Sequence, residues 1–198
     1  MRWAFTLLAL IGALPSLALP RADLDEGTTV AYLDYYAVRY GGKSYSGLNL
    51  FLSRGLRRGL GIGATYTVIR GHGQKATLGG FFLSYRLLGP EETDVAVSAY
   101  GGFKYRTASK DGQWDSASGF EVGALADLRL SEGASAHIRI SSVSYEDRTW
   151  LEVEFGLGAK VGQNLFLDVG YKSFRHSGGT LGGFVFGLTY RRYGVEPW

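Results

Sequence analysis

The chain contains no cysteine. Disulfides, thiolate chemistry and cysteine-ligated metals are thereby excluded. Small exported soluble domains often rely on disulfides, so their absence bears on what kind of exported protein this is. Histidine is nearly as scarce. The three present, His72, His137 and His176, are scattered and show no metal-ligand spacing. No metal and no other cofactor is expected. Lys and Arg never run longer than a pair, and acidic residues are interspersed among them to leave a net charge of +3. Nucleic-acid platforms need a clustered basic face, so no nucleic-acid partner is expected. Beyond the N-terminus no apolar run approaches the ~20 residues of a membrane-spanning helix, and none has a 3.6-residue period.

Glycine and aromatics are plentiful: 30 Gly, 13 Tyr and 11 Phe among 198 residues, with 45% hydrophobic and 20% charged. That balance excludes a disordered chain. Gly weakens strands unless packing demands it, whereas aromatics favour strands and interfaces.

Residues 1–18 read as a secretory signal. Arg2 supplies the positive start, Trp3 to Leu14 the apolar stretch, and Pro15 and Ser16 end it. Ser16-Leu17-Ala18 places small residues before a cut after Ala18, with Ala22 as a weaker alternative. No cysteine is available for lipidation. A short segment, 19–27, precedes a single domain over 28–198.

That domain is a succession of runs with period-2 alternation closed by turn residues. Ten are expected, at 28–40, 46–56, 59–70, 76–88, 94–108, 117–130, 136–146, 149–161, 165–175 and 181–193, although eight is a possible count. Links such as Gly41-Gly42, Gly71-His72-Gly73 and Lys110-Asp111-Gly112 are too short for parallel crossovers, so neighbours must be antiparallel. Val95, Val97, Ala99, Phe103 and Tyr105 share one face, with Asp94, Ser98, Tyr100, Lys104 and Arg106 opposite. Phe120, Val122, Ala124, Ala126, Leu128 and Leu130 alternate in the same way with Glu121, Gly123, Asp127 and Arg129. In 136–146 the apolar parity slips from Ile138 and Ile140 to Val143 and Tyr145, which predicts a bulge near Ser141-Ser142.

Alternation alone does not say which face is outside, since soluble barrels bury their apolar face. Three features favour apolar-out. The polar faces are rich in small residues, as in Gly61, Gly63, Thr65 and Thr67, which suit a narrow interior. Aromatics gather near strand ends (Tyr40, Tyr45, Tyr85, Tyr105, Tyr145, Trp150, Phe174, Tyr190, Tyr193), as in the girdles of membrane barrels. Runs of this length match a tilted crossing of ~9–11 residues. The fold expected is all-β: a closed antiparallel up-and-down transmembrane barrel. A soluble periplasmic barrel enclosing an apolar ligand is the alternative.

The alternating pattern after the signal resembles the small outer-membrane barrels of the OmpA/OmpX-like superfamily. The resemblance implies residence in the bacterial outer membrane, with its lipids and the insertion machinery as partners; it points to no protein partner. Such families often end on an aromatic that closes the last strand. Here Phe184, Phe186, Leu188 and Tyr190 form the outward row and Trp198 ends the chain, with Gly194-Val195-Glu196-Pro197 interrupting the alternation.

The inward face is expected to carry a mixed-sign set: Asp34, Arg54, Arg86, Lys104, Arg106, Glu121, Asp127, Arg129, His137, Arg139, Glu152, Glu154, Lys160, Asp168 and Lys172. Buried charges must be paired. A turn centred on Gly133 sets Arg129 opposite His137 and Asp127 opposite Arg139; one centred on Gln163 sets Glu154 opposite Lys172. The set forms either a plug or the lining of a narrow solute or ion passage, in which case Arg86, Arg106, Glu121 and Glu154 are the first to test. Short loops argue against an adhesin or a loop-based receptor.

His176-Ser177 resembles part of the His-x-Ser motif of the lipid A deacylases, which implies a lipid-modifying enzyme. The spacing differs: adjacent strand residues face opposite sides, and no carboxylate follows before Glu196. No catalytic residue is therefore expected. The expected outcome of cell fractionation is recovery only in detergent extracts, with gel mobility that changes on heating. Recovery in the soluble fraction would favour the soluble alternative.

Overall fold

A computed structural model describes residues 26–40, 42–89, 94–110, 113–146, 148–176 and 179–192. The expected signal segment, most of 19–27 and the residues after 192 lie outside them. Ten strands are present: β1 (Thr29–Tyr40), β2 (Lys43–Gly55), β3 (Leu60–Gly71), β4 (Gln74–Leu88), β5 (Val95–Lys110), β6 (Gln113–Ser131), β7 (Ala134–Tyr145), β8 (Thr149–Lys160), β9 (Leu165–His176) and β10 (Gly179–Arg192). Each pairs antiparallel with its sequence neighbours, and β10 pairs with β1, closing the barrel. All ten expected runs correspond to strands. One 3-10 turn, Arg57–Gly59, sits between β2 and β3.

Turn chemistry explains the connections. His72 and Gly73 both have positive φ, 51° and 72°, the requirement of a two-residue type I′ hairpin, whose twist matches that of the flanking strands. Both described chain ends lie at the end of the barrel opposite this hairpin. We call that end proximal and the hairpin end distal. β5 and β6 are the longest strands. The start of β6 runs beyond β7, whose last paired residue, Tyr145, lies opposite Gly119.

The strands are staggered. Carried from strand to strand through the paired residues, the register climbs about twelve positions along β1 in one circuit. For ten strands that shear corresponds to a tilt within the ~35–45° usual for closed barrels.

Apolar side chains point outward. Leu48, Leu50 and Leu52, then Phe81 and Leu83, Phe120 and Val122, Phe155 and Leu157, and Phe184, Phe186, Leu188 and Tyr190 are all exposed, Phe81 and Phe120 at 69% and 71%. Alternate residues are buried: β2 buries Gly47, Asn49, Phe51, Ser53 and Gly55 between exposed neighbours. An apolar band of this extent around the whole barrel far exceeds the patches of soluble monomers and matches a hydrocarbon layer. The soluble alternative, which requires the apolar face inside, is overturned by this arrangement.

Two expectations are corrected. There is no bulge at Ser141-Ser142: β7 pairs in continuous register with β8. Val143 and Tyr145 follow Arg139 and Ser141 inward and are buried, while Ser142 and Ser144 take the outward positions. The parity slip in the sequence marks apolar residues entering the lumen. The irregularities lie instead between Arg86 and Leu88 and between Arg129 and Ser131. The aromatic girdle is also smaller than expected. Tyr85 and Tyr190 are exposed, and Tyr105 is half-buried on the outer face. Tyr145 and Phe174 are buried inside, and Tyr45 and Trp150 pack against a lumenal apolar cluster. Tyr193 lies outside the described residues.

Lipid-facing burial predicts a specific sensitivity. Phe81→Arg, at mid-strand on the outer face, is expected to destabilise the inserted barrel by ~2–4 kcal/mol, measured by denaturant titration in liposomes. Arg substitution at the rim position Leu60 is expected to be much milder.

Candidate functional site

The lumen is filled in layers. On the proximal side, Tyr32, Phe51 and Phe82 stack with ring centroids 4.7 and 5.3 Å apart, and Tyr100 meets Phe82 edge-on at 5.9 Å. Leu125 and Ala96 join them in one buried cluster. The row runs from β1 across β2 and β4 to β5. It passes close to Gly63 on β3, where a Cβ would overlap the Phe82 ring. Glycine here makes room for an aromatic from the next strand.

Above the rings lies the charged layer. Arg139 on β7 is its centre. Its guanidinium meets Glu121 Oε1 on β6 at 2.5 Å and donates from Nε to the Tyr100 hydroxyl at 2.6 Å, while that hydroxyl donates to Glu121 at 3.2 Å. Lys104 on β5 holds the other Glu121 oxygen at 3.2 Å. Lys172 on β9 pairs with Glu154 on β8 at 3.3 Å. Glu152 lies between the two halves, 3.8 Å from Arg139, 3.9 Å from Lys172 and 4.0 Å from Lys104. Three carboxylates and three cations thus form one formally neutral cluster, and every member is at most 6% exposed. Tyr36 on β1 completes the circuit, accepting from Lys172 at 3.5 Å. Beside the cluster, Thr67 donates to Asn49 (2.7 Å) and Asn49 to Asp34 (3.2 Å); on the strands next to β1 on its other side, Thr189 of β10 donates to Asp168 of β9 (2.5 Å).

On the distal side an apolar collar of Tyr36, Val38, Ile69, Leu78 and Val185 covers the charges, with Tyr45, Trp150 and Leu181 packed on it. Beyond it opens a cavity of about 710 Å³.

Of the inward set expected from sequence, Asp34, Lys104, Arg106, Glu121, Asp127, His137, Arg139, Glu152, Glu154, Asp168 and Lys172 are buried. Arg86 is half-buried beside the β4 irregularity. Arg54 is not inside: it is exposed between buried Ser53 and Gly55, because the inward parity of β2 falls on the odd numbers. Arg129 and Lys160 keep inward parity but sit at proximal strand ends, where both are exposed. Arg106 serves the mouth of the lumen, bound to exposed Asp115 at 2.9 Å.

The hairpin on β8 and β9 sets Glu154 opposite Lys172 as expected. The one on β6 and β7 does not behave as expected: the irregularity after Arg129 places Asp127 opposite His137, Leu125 opposite Arg139 and Arg129 opposite Ser135. Sequence reading missed Tyr32, Tyr36, Asn49, Thr67, Thr189 and Arg191, all buried. The signal was there in the alternation of β1, where Tyr32, Asp34 and Tyr36 share a parity. Among the described residues no His, Asp and Glu group is placed to hold a metal. His176 ends β9, and its proposed partner Ser177 lies outside the described residues.

No protein-family model and no curated protein matches the chain. Solved structures do match by fold. The translocator domain of the autotransporter NalP from Neisseria meningitidis aligns at TM-score 0.50 and 11% identity, over 85% of this chain and 89% of that one. OprG from Pseudomonas aeruginosa aligns at 0.46 and 11% (88% and 100%), and Ail of Yersinia pestis at 0.41 and 17% (85% and 100%). At such identities the likeness is one of fold. The class shown is therefore a closed antiparallel β-barrel whose apolar side chains face outward.

Removing one partner of a buried ion cluster leaves uncompensated charge, at a cost of ~3–5 kcal/mol. Arg139→Ala, which strips Glu121 of its shortest ion contact, is expected to lose that much. Arg139→Met combined with Glu121→Leu is expected to recover most of it, read as unfolding midpoints in detergent micelles.

Proposed function

We propose that this protein is a non-enzymatic barrel of the bacterial outer membrane with a sealed lumen and a structural role. Residues 1–18 serve as its export signal and 19–27 as a short lead into β1. Membrane lipids and the insertion machinery are its partners. The observation that carries the reading is the cluster of Lys104, Glu121, Arg139, Glu152, Glu154 and Lys172, in which opposite charges meet across the lumen. Charges that line a passage must leave room for an ion and hold it loosely. Here they hold one another, with the stacked rings beneath and the apolar collar above. Narrow solute or ion passage is the weaker reading for that reason.

Planar-bilayer recording tests this reading. Inserted wild-type protein is expected to give no resolvable current. Combined truncation of the plug, Tyr100→Ala with Arg139→Ala and Glu152→Ala, is expected to produce discrete openings. Regular single-channel steps from the wild type would refute the sealed lumen.

A further inference from the structure

At the distal edge of the apolar band, the outward positions on one side of the barrel carry charge of a single sign. Arg39 on β1 shares its face with exposed Leu33 and Tyr35. Arg70 on β3 shares its own with exposed Ile62 and Tyr66, and Lys75 on β4 takes the parity of Phe81 and Leu83. Arg175 on β9 lies opposite outward Leu151. The climb of the register brings all four to nearly one level. Three of them stand above a tyrosine of the same face, four residues nearer the middle of the strand: Arg39 above Tyr35, Arg70 above Tyr66 and Arg175 above Tyr171. Tyrosine is enriched at the headgroup level of a bilayer. Arg39, Arg70 and Arg175 are exposed and Lys75 is half-buried. Among the described residues no carboxylate takes an outward position at this level, and none pairs with these four. Hydroxyls lie between them: Ser44 opposite Arg39, Ser46 opposite Arg70 and Thr180 opposite Arg175. On β5 to β8 the same level passes through Thr107, Ser118, Ser144 and Thr149, without a cation. Arg70 and Lys75 are a cross-strand pair. Like charges directly opposite destabilise a sheet, and an anion between them removes that cost.

We propose that this arc, from β9 through β1 to β4, binds a lipid whose headgroup carries a phosphomonoester. The assignment rests on the membrane reading given above. The phosphate lies between Arg70 and Lys75, on the side towards Arg39. A phosphomonoester carries a charge of about −1.5 to −2, which matches two facing cations better than the single charge of a phosphodiester. Arginine adds paired N–H donors suited to phosphate oxygens, and the Ser46 hydroxyl stands beside them. The acyl chains run down the outer face over Leu48, Leu50 and Ile62, all exposed. Arg175 meets the next headgroup at the other end of the arc.

Native mass spectrometry of the full barrel, released from detergent micelles, tests this assignment with dioleoyl phosphatidic acid as the probe. Phosphatidic acid is expected to stay bound. Dioleoyl phosphatidylglycerol, a phosphodiester, is expected to bind about fivefold more weakly, and dioleoyl phosphatidylcholine no more than background. Arg70→Gln and Lys75→Gln are each expected to weaken phosphatidic acid about fivefold, whereas Arg70→Lys keeps most of the binding. Thr149→Glu, at the same level on the cation-free side, is expected to leave it unchanged. All variants are compared as folded barrels with wild-type heat-modifiable mobility. Equal binding of the three lipids, wild-type affinity after Arg70→Gln combined with Lys75→Gln, or equal loss in Thr149→Glu would each overturn the proposal. So would displacement of the lipid by equimolar glycerol 3-phosphate, which would mark a site for free phosphate. Those results leave the membrane reading intact. A wild-type chain that stays in solution without detergent would refute that reading, and this site with it.

Discussion

The hydrogen bond between β1 and β10 governs this structure. In hydrocarbon no water is available for an unpaired N–H or C=O, so a sheet that crosses the bilayer must have no edge. β1 and β10 supply the closure through pairs running from Thr29 and Arg192 to Arg39 and Gly182. Closing the ring with its stagger fixes the lumen width, and the width fixes what the inward residues must be. Glycine is tolerated where a neighbour needs the space: a side chain at Gly63 would overlap Phe82, and one at Gly187 would collide with the Asp34 carboxylate. The inward parity carries aromatic, small and charged side chains, with aliphatic ones such as Val38, Ile69, Leu78 and Val185 in the distal collar.

The charged layer follows from the same restriction. An ion in a narrow lumen walled by protein and lipid is stable only beside its counter-ion. Arg139 meets this condition with three carboxylates and Tyr100, whose ring also lies under the guanidinium, 5.2 Å away. Lys172 similarly stands over Phe174 at 5.0 Å. The aromatics that intrude into the lumen thus fill space and solvate cations.

The outward face was plain in the sequence, because period-2 alternation is a local property and each strand carries its own copy. Strand order followed from the short links, and most inward charges from parity. What parity could not give was position along the lumen and pairing across it. The Asp127–His137 register turned on one irregularity after Arg129. Val143 and Tyr145 looked like a slip in the strand because apolar residues were assumed to face lipid. Arg54 looked internal because its charge was weighed ahead of the odd-numbered parity of β2. The cluster itself joins residues from five strands, β5 to β9, and no single hairpin encodes it.

The contact between Lys172 and Tyr36 spans 136 positions of sequence. It ties the ninth strand to the first, across the place where the sheet shuts. Before β9 docks, Glu154 lacks its lysine, and the half-built wall exposes acids that hydrocarbon does not tolerate. An assembling chain must therefore keep that wall wet, at the membrane surface or within a protein cradle, until its two ends meet. Electrostatics inside the barrel thus penalises partial insertion and makes the last seam the step that drives out water.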